Sequence, residues 1–318
     1  MKLLSVVVPI YDVEHYLDAC LASLHRQTYP EVEVVLVDDG STDASSAIAE
    51  RWASECGWKL VVQENLGLSA ARNAGVDHAS GDLLAFCDAD DVVVETAYEM
   101  LCASLEQSGS DVASGAVMRL DSNGTREHPR YSDLFRATRL RTHIRQDHSI
   151  VLDRMIWNKV FVRRFWDANG LAFSLPQYED APVTIKAHLA ARSVDVIDDV
   201  VYLWRIREAG QRSITQKLYE PKNILARMHM VLGTWDLLAP ESPELRDAYL
   251  RDMCAGDVRI ACEALVATGD PVMPAIDVAR DFLLAAGDAA ISRLEPDLRA
   301  RAEAVLAIDV GRLIASVG

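Results

Sequence analysis

Three of the four residues 88–91 are aspartates, Asp88, Asp90 and Asp91, and they follow directly on the apolar run Leu83 to Cys87. Carboxylates set against a buried strand cost folding free energy unless positive charge or hydroxyl groups meet them, so a bound cation or a sugar is the chemistry this stretch suggests. An Asp-x-Asp in an extended segment can turn alternate side chains the same way. It then offers hard oxygen ligands of the kind that magnesium and manganese take, with nothing to choose between the two metals. Asp91 is read as the cap of the following helix.

Similar polar clusters follow three other apolar runs. Pro9, Tyr11 and Asp12 follow LLSVVV (3–8); Asp38 and Asp39, in VDDGSTD, follow EVVLV (33–37); Asn65 and Arg72, in QENLGLSAARN, follow KLVV (59–62). Segments of helical period separate these runs, the pattern of a parallel, doubly wound sheet. Asp12 is placed to cap the first of those helices and Ser69 the third. Ligands of such a sheet bind beyond the carboxyl ends of its strands. Any one cluster is ordinary turn and cap chemistry, but four on one edge gather more carboxylate than caps require. There is no GxGxxG and no GxxxxGK[ST], so a glycine-rich loop does not cradle phosphate here.

The bulk numbers narrow the class. The 318 residues are half hydrophobic and a quarter charged, enough for a large core, and the formal charge of −16 makes a nucleic-acid binder a poor reading. Six cysteines without a CxxC pair point to reduced, packed thiols, a cytoplasmic setting and no zinc site. Pro9, Tyr11 and Asp12 interrupt the first apolar run where a signal peptide would continue, so that run is read as a strand. No uninterrupted apolar span of about eighteen residues exists to cross a bilayer, which leaves open only peripheral contact at the inner face of a membrane.

Beyond Asp91 the periodicity predicts a helix over 95–107, a strand over 111–120 and a loop or lid from Asp121 to His148. A helix over 178–193 and a strand over 194–208 follow. From about residue 215 four segments of helical period (220–238, 243–267, 272–291 and 296–316) carry no strand signal. The expected organisation is therefore a sheet domain, 1–215, and a helical domain, 216–318, the latter a candidate for acceptor binding or self-association. Residues 121–165 hold ten Lys or Arg against five acids, about +5 in an acidic chain, which would attract an anionic acceptor. Trp157 and Trp204 are read as core rather than as sugar platforms.

Five ordered motifs between residues 3 and 215 resemble the inverting, family-two glycosyltransferases. They are VVVPIYDVEHYLDACLASLHRQTYPEVEVVLVDDGSTDAS, ENLGLSAARNAG, DADD, NKVFVRRFW and QYEDAPVTIKA. The resemblance implies an α/β fold of GT-A type with a Rossmann-like, mostly parallel sheet. It also implies transfer of a hexosyl or N-acetylhexosaminyl group from a UDP-sugar, with Mn2+ or Mg2+, to a carbohydrate, polymer, lipid-linked or small-molecule acceptor. Carried over by position, Pro9 and Tyr11 lie beside the nucleobase, Asp39 accepts from its ring N–H, Asp38 is a neighbour or ribose ligand, and Asn65 belongs to the donor site. Arg72 meets uracil or phosphate. Asp88 faces the ribose, Asp90 is the metal ligand, and Asp180 is the general base with Glu179 as acceptor contact or rival base. The stretch VVYLWRIREAGQRSIT resembles the strand and loop that close over the diphosphate, making Arg207 and Ser213 phosphate contacts. Two other readings stay open: a non-catalytic nucleotide-sugar sensor on the same fold, and a nucleotidyltransferase, for which a basic glycine-rich loop near the first strand is missing.

Overall fold

The computed structural model describes residues 1–208 and 213–315. Its strands are β1 (Leu4–Ile10), β2 (Val32–Asp38), β3 (Lys59–Val62), β4 (Leu83–Phe86), β5 (Val92–Val93), β6 (Val112–Asp121), β7 (Gly124–Glu127), β8 (Arg139–Thr142), β9 (Lys159–Val162) and β10 (Val194–Arg205). They form one sheet in the order β3-β2-β1-β4-β9-β6-β10-β5, with β7 on β6 and β8 on β10. The first four strands are parallel, as the alternating pattern predicts, while β9 runs antiparallel to both its neighbours. All seven residues of β1 are buried, which is why that run is apolar at every position but Ser5 instead of alternating. The chain proceeds from β1 outward to β2 and β3 and then returns to β4 on the other side. That reversal opens a crevice at the carboxyl edge of β1.

Helices α1 (Glu14–His25), α2 (Ser45–Cys56), α3 (Leu68–His78), α4 (Ala97–Ser108), α5 (Arg163–Ala168) and α6 (Asp180–Ala190) accompany the sheet. In α1 the buried Leu17, Cys20, Leu21 and Leu24 recur at three and four, the apolar stripe visible in the sequence. Helix α3 lies so close on the sheet that a Cβ at Gly75 would stand 2.2 Å from Val7 Cγ1. Gly75→Ala is therefore expected to cost about 1–3 kcal/mol through overpacking, read by urea unfolding. An unchanged midpoint would mean that α3 can move away from β1.

The stretch expected to be a loop, 121–148, contains β7 and β8. Their residues, GTRE and RLRT, have no apolar alternation and are largely exposed, so only main-chain pairing with β6 and β10 makes them strands. The last hundred residues are helical: α7 (Pro221–Leu237), α8 (Pro243–Ala255), α9 (Asp257–Thr268), α10 (Met273–Ala286), α11 (Asp288–Ile291), α12 (Pro296–Ala307) and α13 (Val310–Ala315). Three begin with proline, whose missing N–H costs nothing in a first turn. The expected segment 243–267 is broken at Gly256, 272–291 at Gly287 and 296–316 at Ile308, the last two in left-handed backbone. One contiguous apolar core joins the sheet to these helices. No helix of the described residues is long and apolar enough to cross a membrane.

Candidate active site

A cleft of about 2140 Å³ lies beyond the carboxyl ends of β1, β2 and β4 and reaches the start of α6, the end of β10 and the helical region. Pro9, Tyr11, Asp39, Asn65, Arg72, Asp88, Asp90, Glu179, Asp180, Arg207 and Ser213 all line it. Asp38 does not. It is buried, and its carboxylate accepts from the Ser41 N–H at 3.0 Å and from the Ser46 hydroxyl, so it fastens the turn into α2. Asp39 is held by three donors of the next strand-end loop, Gln63 at 2.7 Å and the N–H groups of Leu66 and Gly67 at 2.9 Å. These bonds fix the loop carrying Asn65 against the β2 end.

Two of the expected caps are used differently. Asp12, in left-handed backbone, accepts from the Thr42 N–H at 2.7 Å, and the start of α1 is met instead by Asp43 on Glu14 and Ser45 on Val13. Ser69 donates to the Leu175 carbonyl.

Arg72 occupies the centre. It is buried, with one Nη on Glu179 and the other on Asp88 Oδ1 at 2.6 Å, and its guanidinium lies 5.3 Å from the Phe173 ring. Instead of facing a ligand directly, it joins the carboxylate at the end of β4 to the one at the start of α6. Asp90 is met from the other wall. Arg207 Nε donates to Asp90 Oδ2 at 2.7 Å and Arg205 Nε to the Asp90 carbonyl at 2.6 Å, with both guanidinium groups over the Tyr16 ring. Burial pushes the Asp90 carboxyl above its ordinary range; Arg207 opposes this and Asp88 adds to it. Among the described residues no third His, Cys, Asp or Glu joins the two aspartates to complete a metal cage.

Asp91 does not cap α4, which starts six residues later. It is fully enclosed, accepts from the Arg205 N–H at 2.6 Å, and leaves its second oxygen without a partner. Burial, together with Asp90 and Asp88, pushes its carboxyl well above the usual range. Its place is to pin β10 where that strand delivers Arg205 and Arg207 to the cleft. Gln216 then closes the connection, bonding the Arg207 backbone at 2.8 and 3.1 Å and the Ser213 hydroxyl at 3.1 Å. The intervening part of the expected closing loop, 209–212, lies outside the described residues.

Asp180 is the first residue of α6 and half-buried in the cleft wall, its Oδ1 taking the Ala181 N–H at 2.9 Å. Burial raises its carboxyl; Arg72 and Arg154 oppose this and Asp88 adds to it. Glu179, buried on Arg72, is far less available than Asp180. Tyr178, just ahead, takes the left-handed φ of +56°, which turns the chain sharply into the helix.

The cationic side of the cleft extends beyond the basic stretch 121–165 that the sequence singles out. Arg119, Arg126, Arg130, Arg154, Arg227 and Arg259 line it, drawn from β6, the segments after it and the helical region. The positive charge expected in 121–165 therefore reaches the cleft through Arg126, Arg130 and Arg154. Arg136 and Arg139 pair instead with Asp133 and Asp147 on the outer surface. Trp157 is core, stacked on Tyr202 at 4.3 Å, yet its edge reaches the cleft; Trp204 also lines it under Arg119. Tyr16 was hidden by its helical spacing, which is equally that of a core residue.

A switch-point crevice that gathers carboxylates from one strand end and a helix start, with arginines to balance them, lies where an open α/β sheet takes its ligand. The chain belongs to glycosyl transferase family 2, whose family model matches residues 5–165, and its fold is GT-A. It is 29% identical over 227 residues to the uncharacterized glycosyltransferase EpsJ of Bacillus subtilis (strain 168), covering 70% of this chain and 65% of that protein. It is 30% identical over 222 residues to the putative glycosyltransferase EpsH of the same strain, covering 68% and 64%. The chain thus spans just under two thirds of the length of both relatives. Among solved structures, Staphylococcus aureus TarS 1-349 in complex with UDP-GlcNAc superimposes with a TM-score of 0.81 at 22% identity, over 99% of this chain and 90% of that one. The mannosyltransferase PcManGT of Pyrobaculum calidifontis, in complex with GDP-Man and Mn2+, gives 0.57 at 18% identity, over 99% and 86%.

Proposed function

We propose that this chain transfers a sugar from a UDP-sugar to an acceptor hydroxyl in a single inverting displacement, with a divalent cation at the donor diphosphate. The observation that carries the reading is the pairing of two acid groups across one cleft, Asp88 and Asp90 at the β4 end and Asp180 at the α6 start, joined through Arg72 and Glu179. A UDP-GlcNAc complex of the similarly folded TarS supports the donor class. TarS is also named a poly(ribitol-phosphate) beta-N-acetylglucosaminyltransferase, which favours an N-acetylhexosaminyl or hexosyl group and an anionic polymer acceptor.

In this reading Pro9, Tyr11 and Asp39 hold the nucleobase with Asn65 nearby, Asp88 meets the ribose, and Arg207 and Ser213 contact the diphosphate. Asp90 fits a cation as the protein carboxylate that Mg2+ or Mn2+ takes beside substrate phosphates, and burial, which pushes its carboxyl above the ordinary range, favours a cation beside it. When bound, that cation offsets the charge growing on the diphosphate as the glycosidic bond breaks. Asp180 takes the proton from the acceptor hydroxyl as it attacks the anomeric carbon from the opposite face. Arg126 and Arg130 face the acceptor, with Arg154 buried behind them on Asp257. The sheet unit 1–215 carries the chemistry, and the helical unit 216–318 completes the acceptor wall.

Donor hydrolysis across UDP-, GDP- and dTDP-sugars with manganese tests the donor; no turnover with any UDP-sugar would sink the reading. Asp90→Ala is expected to remove the gain in UDP affinity that manganese brings, read by calorimetry with and without the metal. An Asp90→Ala protein that still binds UDP more tightly with manganese would place the cation elsewhere. A nucleotide-sugar sensor would have no use for Asp180, so loss of turnover with retained UDP binding in Asp180→Asn separates the catalyst from the sensor.

A further inference from the structure

Asp257 is the first residue of α9 and is completely buried, yet it carries three guanidinium groups. Arg227 Nη1 donates to Oδ1 at 2.5 Å, and Arg154 and Arg130 donate to Oδ2 at 3.1 and 3.3 Å. Burial pushes the Asp257 carboxyl up, but Arg154, Arg227 and Arg130 together hold it well below the usual carboxylate range. A buried carboxylate so surrounded is a fixed charge around which its partners are oriented.

Each arginine leads to a different part of the cleft. Arg130 comes from the segment after β7 and is also forked onto Asp252. Its guanidinium packs on Gly256, where a Cβ would meet it at 3.0 Å. The Arg154 carbonyl accepts from the Thr184 hydroxyl at 2.8 Å, and that hydroxyl lies 2.9 Å from the Asp180 carbonyl. Arg227 lies 4.5 Å over the Tyr178 ring and donates to its hydroxyl at 3.2 Å; that hydroxyl donates in turn to Asn223 of α7 at 2.8 Å. Tyr178 holds the left-handed turn that aims Asp180.

We infer that Asp257, in the helical region, is a positioning residue for the Asp180 turn, acting through Arg227 on Tyr178 and through Arg154 on Thr184. The inference rests on the proposed role of Asp180 as general base. It gives the helical region a part in the reaction: α7 and α9 supply the fixed partners that keep a strained turn in one orientation. Such a turn is held by its surroundings and not by its own preference.

The test follows the Asp180 carboxyl by 13C NMR in the full chain, beside turnover. The groups that face Asp180 are Arg72 of α3, Asp88 at the β4 end, Arg154 in the connection ahead of β9 and Lys159 of β9, with Glu179 adjacent in the chain. Tyr178→Phe removes only the hydroxyl that ties the turn to Arg227 and Asn223. With the turn released, Asp180 gains water, so its titration and the acid limb of the turnover profile are both expected to move to lower pH. Turnover is expected to fall about tenfold or more while UDP affinity holds. Arg227→Lys keeps Asp257 paired but cannot serve both Asp257 and Tyr178, and should act alike; Asp257→Asn should do the same, and Arg227→Lys decides if Asp257→Asn does not fold. An Asp180 titration unmoved in Tyr178→Phe and Arg227→Lys overturns the inference whatever the activity. A wild-type chain that transfers nothing overturns the functional reading separately.

Discussion

Asp180→Asn is expected to bind UDP as the wild type does and to lose turnover by about two to four orders of magnitude, the usual contribution of a positioned general base. The amide keeps the shape and the Ala181 N–H bond at the start of α6, so the fold has no reason to change. The wild-type pH profile carries the same assignment. A base must be unprotonated to work, and burial raises the Asp180 carboxyl against the opposition of Arg72 and Arg154. The acid limb of turnover is therefore expected above the ordinary carboxylate range, with activity rising as pH increases through it, and Asp180→Asn should abolish that limb. A variant that keeps full transfer would move the base to Glu179, which is buried against Arg72 and would have to leave it first.

The second large effect is on stability. Arg72 is almost wholly enclosed and bonded to Glu179, also buried, and to the half-buried Asp88. Arg72→Met keeps an apolar side chain in place but removes the guanidinium over Phe173 and leaves two carboxylates with no cation between them. Breaking a buried pair from one side costs about 3–5 kcal/mol, and the more open Asp88 keeps the expected loss towards the lower end of that range. Chemical denaturation should show it as a fall in midpoint at an unchanged slope. Arg72→Lys keeps the charge but reaches only one partner well, so an intermediate loss is expected. Equal stability of Arg72→Met and wild type would mean that the carboxylates find other partners, and the link between donor edge and base would lose its physical basis.

Much of the cleft was legible in the order of residues. The runs that became β1, β2 and β4 are apolar because both faces of a central parallel strand are covered, while β3 is a half-exposed edge strand, and the period changes to that of a helix where the chain crosses over. Polar residues after each run had to fall on one edge, since parallel strands end on the same side. What failed was finer. Asp91 read as a cap because it precedes a helix, but the Arg205 N–H it binds comes from a strand more than a hundred residues later. Strands β7 and β8 lacked a signal because their pairing is made by main chain, which has no side-chain period.

The sequence by itself determined the doubly wound sheet, its acidic carboxyl edge and the family, because these follow from local burial and from ordered motifs that each lie within one stretch of chain. Only the tertiary structure decided how the acids are balanced. Arg72 meets Glu179 across 107 residues, Arg207 meets Asp90 across 117, and Arg154 meets Asp257 across 103. Periodicity reports whether a side chain is covered, not which distant group covers it. The partner of a buried charge is chosen by the fold as a whole, since charge left unpaired away from water is too costly to remain.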